Sequence, residues 1–138
     1  MQQLRNTILI VDNDERVLRD LETELRGIGF ETRTTWSGRE ALALLKSKAF
    51  DVLLTDDYLA DLHVADFLSR VGDLPVQPWI VLMQPGPKLK YVYRYRKLGV
   101  SAVVYKNDLQ RICQAVVSCV MPVPITFPRS VSASAYIM

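Results

Sequence analysis

Carboxylate and ammonium side chains stand at the ends of several short apolar segments of this sequence. Asp12 follows the segment ILIV, Asp56 and Asp57 follow VLLT, and Lys106 follows AVVY. Carboxylates that gather at one point repel each other, so they need a hard divalent cation or a lysine ammonium beside them. A carboxylate held beside both can act as a nucleophile toward a phosphoryl group. The chemistry that these residue types suggest is therefore phosphoryl transfer to an aspartate, with Mg²⁺ as the natural cation.

The elements that carry these residues decide whether they meet. Five apolar segments alternate with five segments that have apolar residues at helical spacing. The predicted strands are Thr7–Val11, Phe30–Thr34, Asp51–Thr55, Trp79–Met83 and Ser101–Tyr105. This alternation predicts an α/β protein, with a parallel sheet, right-handed crossovers and helices on both faces. Because reactive residues of such folds lie at the carboxyl ends of the strands, we expect Asp12, Asp56 and Lys106 to lie together.

Length and composition indicate one globular domain. Of 138 residues 49% are hydrophobic and 23% charged, and the net charge of +2 is too small to indicate nucleic acid or an acidic membrane. No apolar run reaches the roughly 18 residues of a membrane span and no signal peptide is recognised, so we expect a cytoplasmic location. Residues 1–121 form the predicted domain, and 122–138, rich in proline and serine, are predicted to be extended or disordered.

Three motifs together resemble the receiver domain of two-component response regulators. They are ILIVDNDERVLRDLE near the start, FDVLLTDDYLADLHVADFL in the middle and LGVSAVVYKND near the end. The resemblance runs from about Thr7 to Val120. It implies a flavodoxin-like (βα)5 fold, doubly wound, with five parallel strands in the order 2-1-3-4-5. It also implies a signalling switch in a phosphorelay, which is not an enzyme and receives its phosphoryl group from a histidine kinase or phosphotransfer protein.

The resemblance assigns roles to individual residues. Asp56 would be the phosphoacceptor, and Lys106 would contact the phosphoryl group. The Mg²⁺ ligands would be Asp12, Asn13, Asp56 and the backbone carbonyl of Tyr58. Asp57 has no family role and is expected to face solvent.

Several working positions depart from the family pattern. Asn13 replaces an acid, which should weaken Mg²⁺ binding unless Asp14 compensates. Gln84 lies at the position of the phosphate-sensing hydroxyl, 28 residues after Asp56 and 22 before Lys106. Val103 replaces the switch aromatic residue, with Tyr105 two residues further on. These changes affect the sensing apparatus more than the acceptor.

The helix predicted over 88–98 is basic and aromatic. It carries no acid, and its lysine and arginine residues alternate with Tyr91, Tyr93 and Tyr95. A solvated basic face explains this composition, and so does a docking surface for a downstream protein partner or a second copy in a homodimer. Nucleic acid is an unlikely partner, because no recognition module accompanies the basic residues.

Two alternative functions remain open. One is a pseudo-receiver, an interaction module that binds partners whatever the state of Asp56. The other is a phosphatase resembling the haloacid dehalogenase superfamily, in which Asp12 would attack and Asp14 would act as general acid. His63, in the loop after Asp56, is expected to be exposed near the pocket without binding a metal, and Asp61 is interpreted as a loop acid without a function.

Overall fold

The computed structural model describes residues 6–86, 89–121 and 135–137, and among these the side chains of 6–86 and 92–121. The chain alternates strands and helices up to residue 120. The elements are β1 Thr7–Val11, α1 Glu15–Ile28, β2 Glu31–Thr35, α2 Gly38–Ser47, β3 Val52–Asp56, α3 Val64–Gly72, β4 Trp79–Gln84, α4 Leu89–Lys97, β5 Val100–Tyr105, α5 Leu109–Val120 and β6 Ala135–Ile137. Across the described residues no helix combines the length and the apolar character needed to cross a bilayer.

One sheet holds all the described strands, in the order β2-β1-β3-β4-β5-β6. The first five pair in parallel, which confirms the predicted fold and strand order. β6 is an addition to that prediction, because it pairs antiparallel with β5 at the edge of the sheet. It comes from the segment 122–138 that was predicted to be extended or disordered, and 122–134 and 138 lie outside the described residues.

The central strands are buried on both faces, because helices cover the sheet on each side. Leu9 and Val11 contribute to one apolar cluster with α2 and α3, whereas Ile8 and Ile10 contribute to the other with α1 and α5. All four side chains have no exposed surface. Adjacent residues of a strand point to opposite faces, so one short segment supplies both layers of the core.

The two cysteines, Cys113 and Cys119, are free, and both are partly buried against the apolar cluster that contains Ile8 and Ile10. Burial raises the pKa of Cys119 to about 11. Burial and the nearby charge of Glu24 also raise the pKa of Cys113. Neither side chain is therefore a reactive thiolate at neutral pH.

The helices begin where the sequence supplies a capping side chain. Asp14 accepts hydrogen bonds from the backbone N–H groups of Arg16 and Val17 and so caps α1. Ser37 accepts a hydrogen bond of 3.1 Å from the Glu40 N–H and so caps α2. Asp14 is exposed, and its Oδ1 atom is the one engaged in the cap of α1.

Asp61 has a structural role that the sequence interpretation missed. Its carboxylate accepts hydrogen bonds from the Ser37 hydroxyl at 2.8 Å, the Gly38 N–H at 2.9 Å and the Arg39 N–H at 3.0 Å. These bonds tie the loop after β3 to the first turn of α2. At Gly38 an added Cβ would lie 3.0 Å from a methyl group of Leu59, so the absence of a side chain permits this close approach.

We predict that Asp61→Ala lowers the free energy of unfolding by about 1–2 kcal/mol, because three donors at the start of α2 lose their acceptor. Burial raises the pKa of Asp61, but the hydrogen bonds from Arg39, Gly38 and Ser37 outweigh it and leave the pKa below its usual 3.8. The stabilisation is therefore present above pH 3.8 and is lost as the pH falls through the lower folded-state pKa.

Urea unfolding at pH 7 and below pH 3 measures this difference. Asp20→Ala is the matched control, because Asp20 is an exposed acid on α1, and its free energy should change by less than about 0.5 kcal/mol. Equal stability of Asp61→Ala and the wild type at pH 7 would contradict the assignment.

Candidate functional site

The carboxyl ends of β1, β3 and β5 bring Asp12, Asp56 and Lys106 into contact. The Lys106 ammonium donates a hydrogen bond of 2.9 Å to Asp56 Oδ2 and one of 3.3 Å to Asp12 Oδ1. Asp12 is fully buried and Asp56 is 3% exposed. The three residues, distant in sequence, thus form one acidic cup with a single ammonium, as the strand-end argument predicted.

Backbone hydrogen bonds between neighbouring strands fix this cup. The Lys106 N–H donates to the Gln84 carbonyl at 2.8 Å, and the Asp57 N–H donates to the Met83 carbonyl at 3.1 Å. The Asp12 N–H donates to the Thr35 carbonyl at 3.1 Å. The backbone at or next to each residue of the cup is therefore hydrogen-bonded to the neighbouring strand, and this fixes the position of the side chain.

Burial and the ion-pair partner have opposite effects on the pKa of Asp12, and also on the pKa of Lys106. Burial raises the pKa of Asp12, as does the charge of Asp56. The Asp14 N–H and Lys106 lower the pKa, but the net shift is upward. Burial lowers the pKa of Lys106, but hydrogen bonds from its ammonium to Asp56 and Asp12, and their charges, outweigh this and leave the pKa raised. Lys106 is therefore charged throughout the physiological range.

The oxygen atoms of the two carboxylates are not equally satisfied. Asp56 Oδ1 accepts from the Asp57 N–H at 2.9 Å, and Asp12 Oδ1 accepts from the Asp14 N–H at 2.9 Å. Asp12 Oδ2 is buried, lies 3.1 Å from the ammonium, and accepts no hydrogen bond. A buried carboxylate oxygen without a donor is suited to a hard cation.

The residues fit a weakly held Mg²⁺. This ion needs only one or two carboxylates when water and phosphate oxygens complete its shell. Asp12 and Asp56 meet that requirement, but the described residues contain no group of three or more His, Cys, Asp or Glu side chains that could hold a metal.

Asn13 is exposed and lines a cleft of about 450 Å³ between α1 and the end of β2, together with Trp36.

Asp57 does not face solvent, and that prediction was wrong. Its side chain is half-buried between the Asp56 carboxylate and the Gln84 amide. Burial, the charge of Asp56 and a hydrogen bond with Asp56 raise the pKa of Asp57 to about 6. The sequence shows two adjacent acids after a buried strand but carries no signal of the Gln84 contact, because Gln84 belongs to another strand.

Gln84 lies at the end of β4, and its amide interacts with the residue that follows Asp56. It is buried, its amide interacts with the Asp57 carboxylate, and its Oε1 atom has no hydrogen-bond partner. Val103 is fully buried within the first apolar cluster, whereas Tyr105 is half-buried. The side chains that replace the family's hydroxyl and aromatic residue are therefore packed into the protein.

His63 and the helix α4 are the remaining candidates from the sequence. His63 is exposed, as predicted, and its Nδ1 atom accepts from the Ala65 N–H at the start of α3. On α4 the Lys97 ammonium lies 4.8 Å from the ring centre of the exposed Tyr93. Tyr91 and the lysines at 88 and 90 lie outside the described side chains.

We predict that Asp57→Asn raises the free energy of unfolding by about 1 kcal/mol at pH 7.5, a value discounted because Asp57 is only half-buried. A folded-state pKa of about 6 against 3.8 unfolded means that Asp57 stabilises the fold below pH 3.8 and that this contribution is lost as the pH rises through 6. The advantage of asparagine should therefore disappear near pH 4.

Urea unfolding at pH 4 and pH 7.5 measures this effect, with Asp20→Asn as the control for removing an exposed charge. If Asp57→Asn were less stable than the wild type at pH 7.5, the environment assigned to Asp57 would be wrong.

Comparison with known proteins places this arrangement of strands and side chains in a family. The curated relatives include the transcriptional regulatory protein ZraR of Salmonella typhimurium, 33% identical over 76 residues that make up 54% of this chain and 17% of ZraR. The polar-differentiation response regulator DivK of Brucella ovis is 26% identical over 126 residues, which cover 91% of this chain and 90% of DivK. The chain thus spans a small part of ZraR and nearly all of DivK.

A solved structure shows the same fold. The CheY-like response regulator receiver domain protein of Methanospirillum hungatei has a TM-score of 0.76 at 21% identity, covering 83% of this chain and 93% of that chain. A family model described as the response regulator receiver domain matches residues 8–117, the greater part of the chain. With the acidic cup and its lysine at the ends of β1, β3 and β5, this chain belongs to the response regulator receiver domain family of two-component signalling.

Proposed function

We propose that this chain accepts a phosphoryl group on Asp56 from a histidine kinase or phosphotransfer protein. One observation carries the proposal, namely the Lys106 ammonium 2.9 Å from Asp56 Oδ2, beside a second buried carboxylate. An ammonium in this place neutralises the negative charge that attack on a phosphoryl group would bring together. Family membership supports a donor of this class.

In the proposed reaction a carboxylate oxygen of Asp56 forms a bond to phosphorus. The bond from phosphorus to the donor nitrogen breaks, and its electron pair returns to that nitrogen. The Asp57 N–H, which donates to Asp56 Oδ1, and Lys106 orient the carboxylate before the attack. After the transfer Asp56 is no longer a free carboxylate, so the Lys106 ammonium pairs with an oxygen of the transferred group.

Mg²⁺ belongs to the proposal as the cofactor of transfer. When bound it would neutralise phosphoryl oxygens, and the residues that would hold it are Asp12, Asp56 and the Tyr58 carbonyl. Asp12 Oδ2, which is buried and lies 3.1 Å from the Lys106 ammonium without accepting a hydrogen bond, supports this site. With Asn13 in place of a second pocket acid, we expect affinity to be low until phosphate oxygens complete the shell.

We predict that phosphoramidate with Mg²⁺ adds one phosphoryl group to the intact protein, as measured by mass spectrometry. Asp56→Asn should abolish the adduct, because the nucleophile is lost. Addition of a chelator should reduce it by at least about tenfold, because charge neutralisation by a metal ion lowers the barrier by more than about 1.4 kcal/mol.

Asp57→Asn is the matched control, since it removes the neighbouring carboxylate and leaves Asp56 in place. It should retain the adduct. Full labelling of Asp56→Asn, or no labelling of the wild type, would contradict phosphorylation at Asp56.

The output side of the proposal is a surface formed by α4, β5 and α5. On α4 the exposed Tyr93 and the adjacent Lys97 are residue types that anchor protein interfaces. A downstream protein partner with an acidic surface would complement the basic residues of this helix.

A second candidate function is an interaction module that acts independently of phosphorylation. It is favoured by Gln84, whose amide already interacts with Asp57, and by Val103, which is fully buried. Neither side chain provides the hydroxyl or the movable aromatic ring that transmits phosphorylation in the family. Unchanged partner binding by Asp56→Asn and by the phosphorylated wild type would favour this second function.

A further inference from the structure

The outer edge of β5, which β6 covers, is a feature of the sheet that the proposed phosphoryl chemistry does not use. β5 pairs in parallel with β4 on one side and antiparallel with β6 on the other. Ala102, Val103 and Val104 pair with Ile137, Tyr136 and Ala135 respectively. Without β6, this row of backbone N–H and C=O groups would be an open edge.

Both faces of β5 are already covered, so only its backbone is left to interact. Val103 packs into the first apolar cluster, and Ala102 and Val104 pack into the second. None of these three side chains is more than 4% exposed. A further contact at β5 is therefore a backbone contact, of the kind made when an extended segment is added to a sheet.

The two edges of the parallel sheet differ in their protection. β2, with the sequence ETRTT, exposes Glu31 and Arg33, and charged side chains of this kind discourage pairing with another strand. β5, with the sequence VSAVVY, contains no charge and no proline. The unprotected edge is the one that β6 covers.

The cover is small and tethered. β6 has 3 residues and follows α5, which ends at Val120. A short strand carried on the same chain benefits from an effective concentration on the order of millimolar, and this allows a contact of few hydrogen bonds to form. The same small size permits another strand to replace it.

We propose that β6 is a displaceable intramolecular cover, which keeps the β5 edge from pairing with the β5 edge of a second copy of this chain. Two antiparallel β5 strands would form a two-fold contact, in which the same residues serve both copies. The inference does not require phosphorylation of Asp56. It does bear on the proposed output surface, because β5 lies within that surface.

The test uses the full chain with Ala135→Pro and Tyr136→Pro together. Successive residues of a strand direct their N–H groups to opposite sides, so the pair of prolines removes one donor that faces β5. Ser130→Pro with Val131→Pro is the matched control, because it places two prolines in the same tail outside β6. Amide hydrogen exchange is measured along β5, and oligomeric state is measured by light scattering.

We expect the wild type to be monomeric, with slow exchange at the β5 amides that do not pair with β4. In the β6 variant these amides should exchange at least about tenfold faster at low protein concentration, and the protein should dimerise as its concentration rises. The control should match the wild type, and β1 amides should stay protected in all three proteins.

Equal exchange at β5 in the wild type and the β6 variant would contradict the claim that β6 protects this edge. If the β6 variant exchanged fast at β5 but stayed monomeric, the edge would not pair with a second copy. If protection in the wild type grew with protein concentration, the β6 that pairs with β5 would come from a second copy. Each of these outcomes leaves the phosphoramidate result at Asp56 unaffected, so failure here is distinguishable from failure of the proposed function.

Discussion

The structure depends on one interaction, the contact of the Lys106 ammonium with the buried carboxylates of Asp12 and Asp56. Two carboxylates with almost no exposed surface repel each other when they lie side by side. The ammonium offsets that repulsion, and the carboxylates in turn raise the pKa of Lys106 although burial lowers it. Because the three groups come from three strands, the contact also requires the sheet order that is observed.

The neighbours of the cup determine what each of its oxygen atoms can do. Backbone N–H groups donate to Asp12 Oδ1 and Asp56 Oδ1, whereas the buried Asp12 Oδ2 atom lies 3.1 Å from the Lys106 ammonium. Asp61 connects the loop that follows Asp56 to the start of α2 through a hydrogen bond from the Gly38 N–H. The site is thus pre-organised for its charges, whereas the side chains at Gln84 and Val103 lack the groups that would report a change there.

Much of the fold could be predicted from the sequence, because the strands are short apolar runs and the helices have capping residues. β1 matches its predicted bounds, and β3 ends at Asp56 where Thr55 was expected. The cup followed from strand ends meeting at one edge. By contrast, the burial of Asp57 and the bonds of Asp61 depend on contacts between distant segments, which neither propensity nor periodicity contains. β6 escaped prediction for the same reason, since a strand of 3 residues is defined only by its partner.

The most direct measurement is a double-mutant cycle on the free energy of unfolding at pH 7.5, with Lys106→Met, Asp56→Asn and the two combined. Lys106→Met alone should cost about 3 kcal/mol, because it leaves two buried carboxylates without a counter-charge. Asp56→Asn should be more favourable by about 1.5 kcal/mol or more in the Lys106→Met background than in the wild type, and this difference is the coupling energy of the pair. Effects that add to within about 0.5 kcal/mol would show that the lysine and the aspartate do not interact, and would contradict the acidic cup on which the proposed chemistry rests.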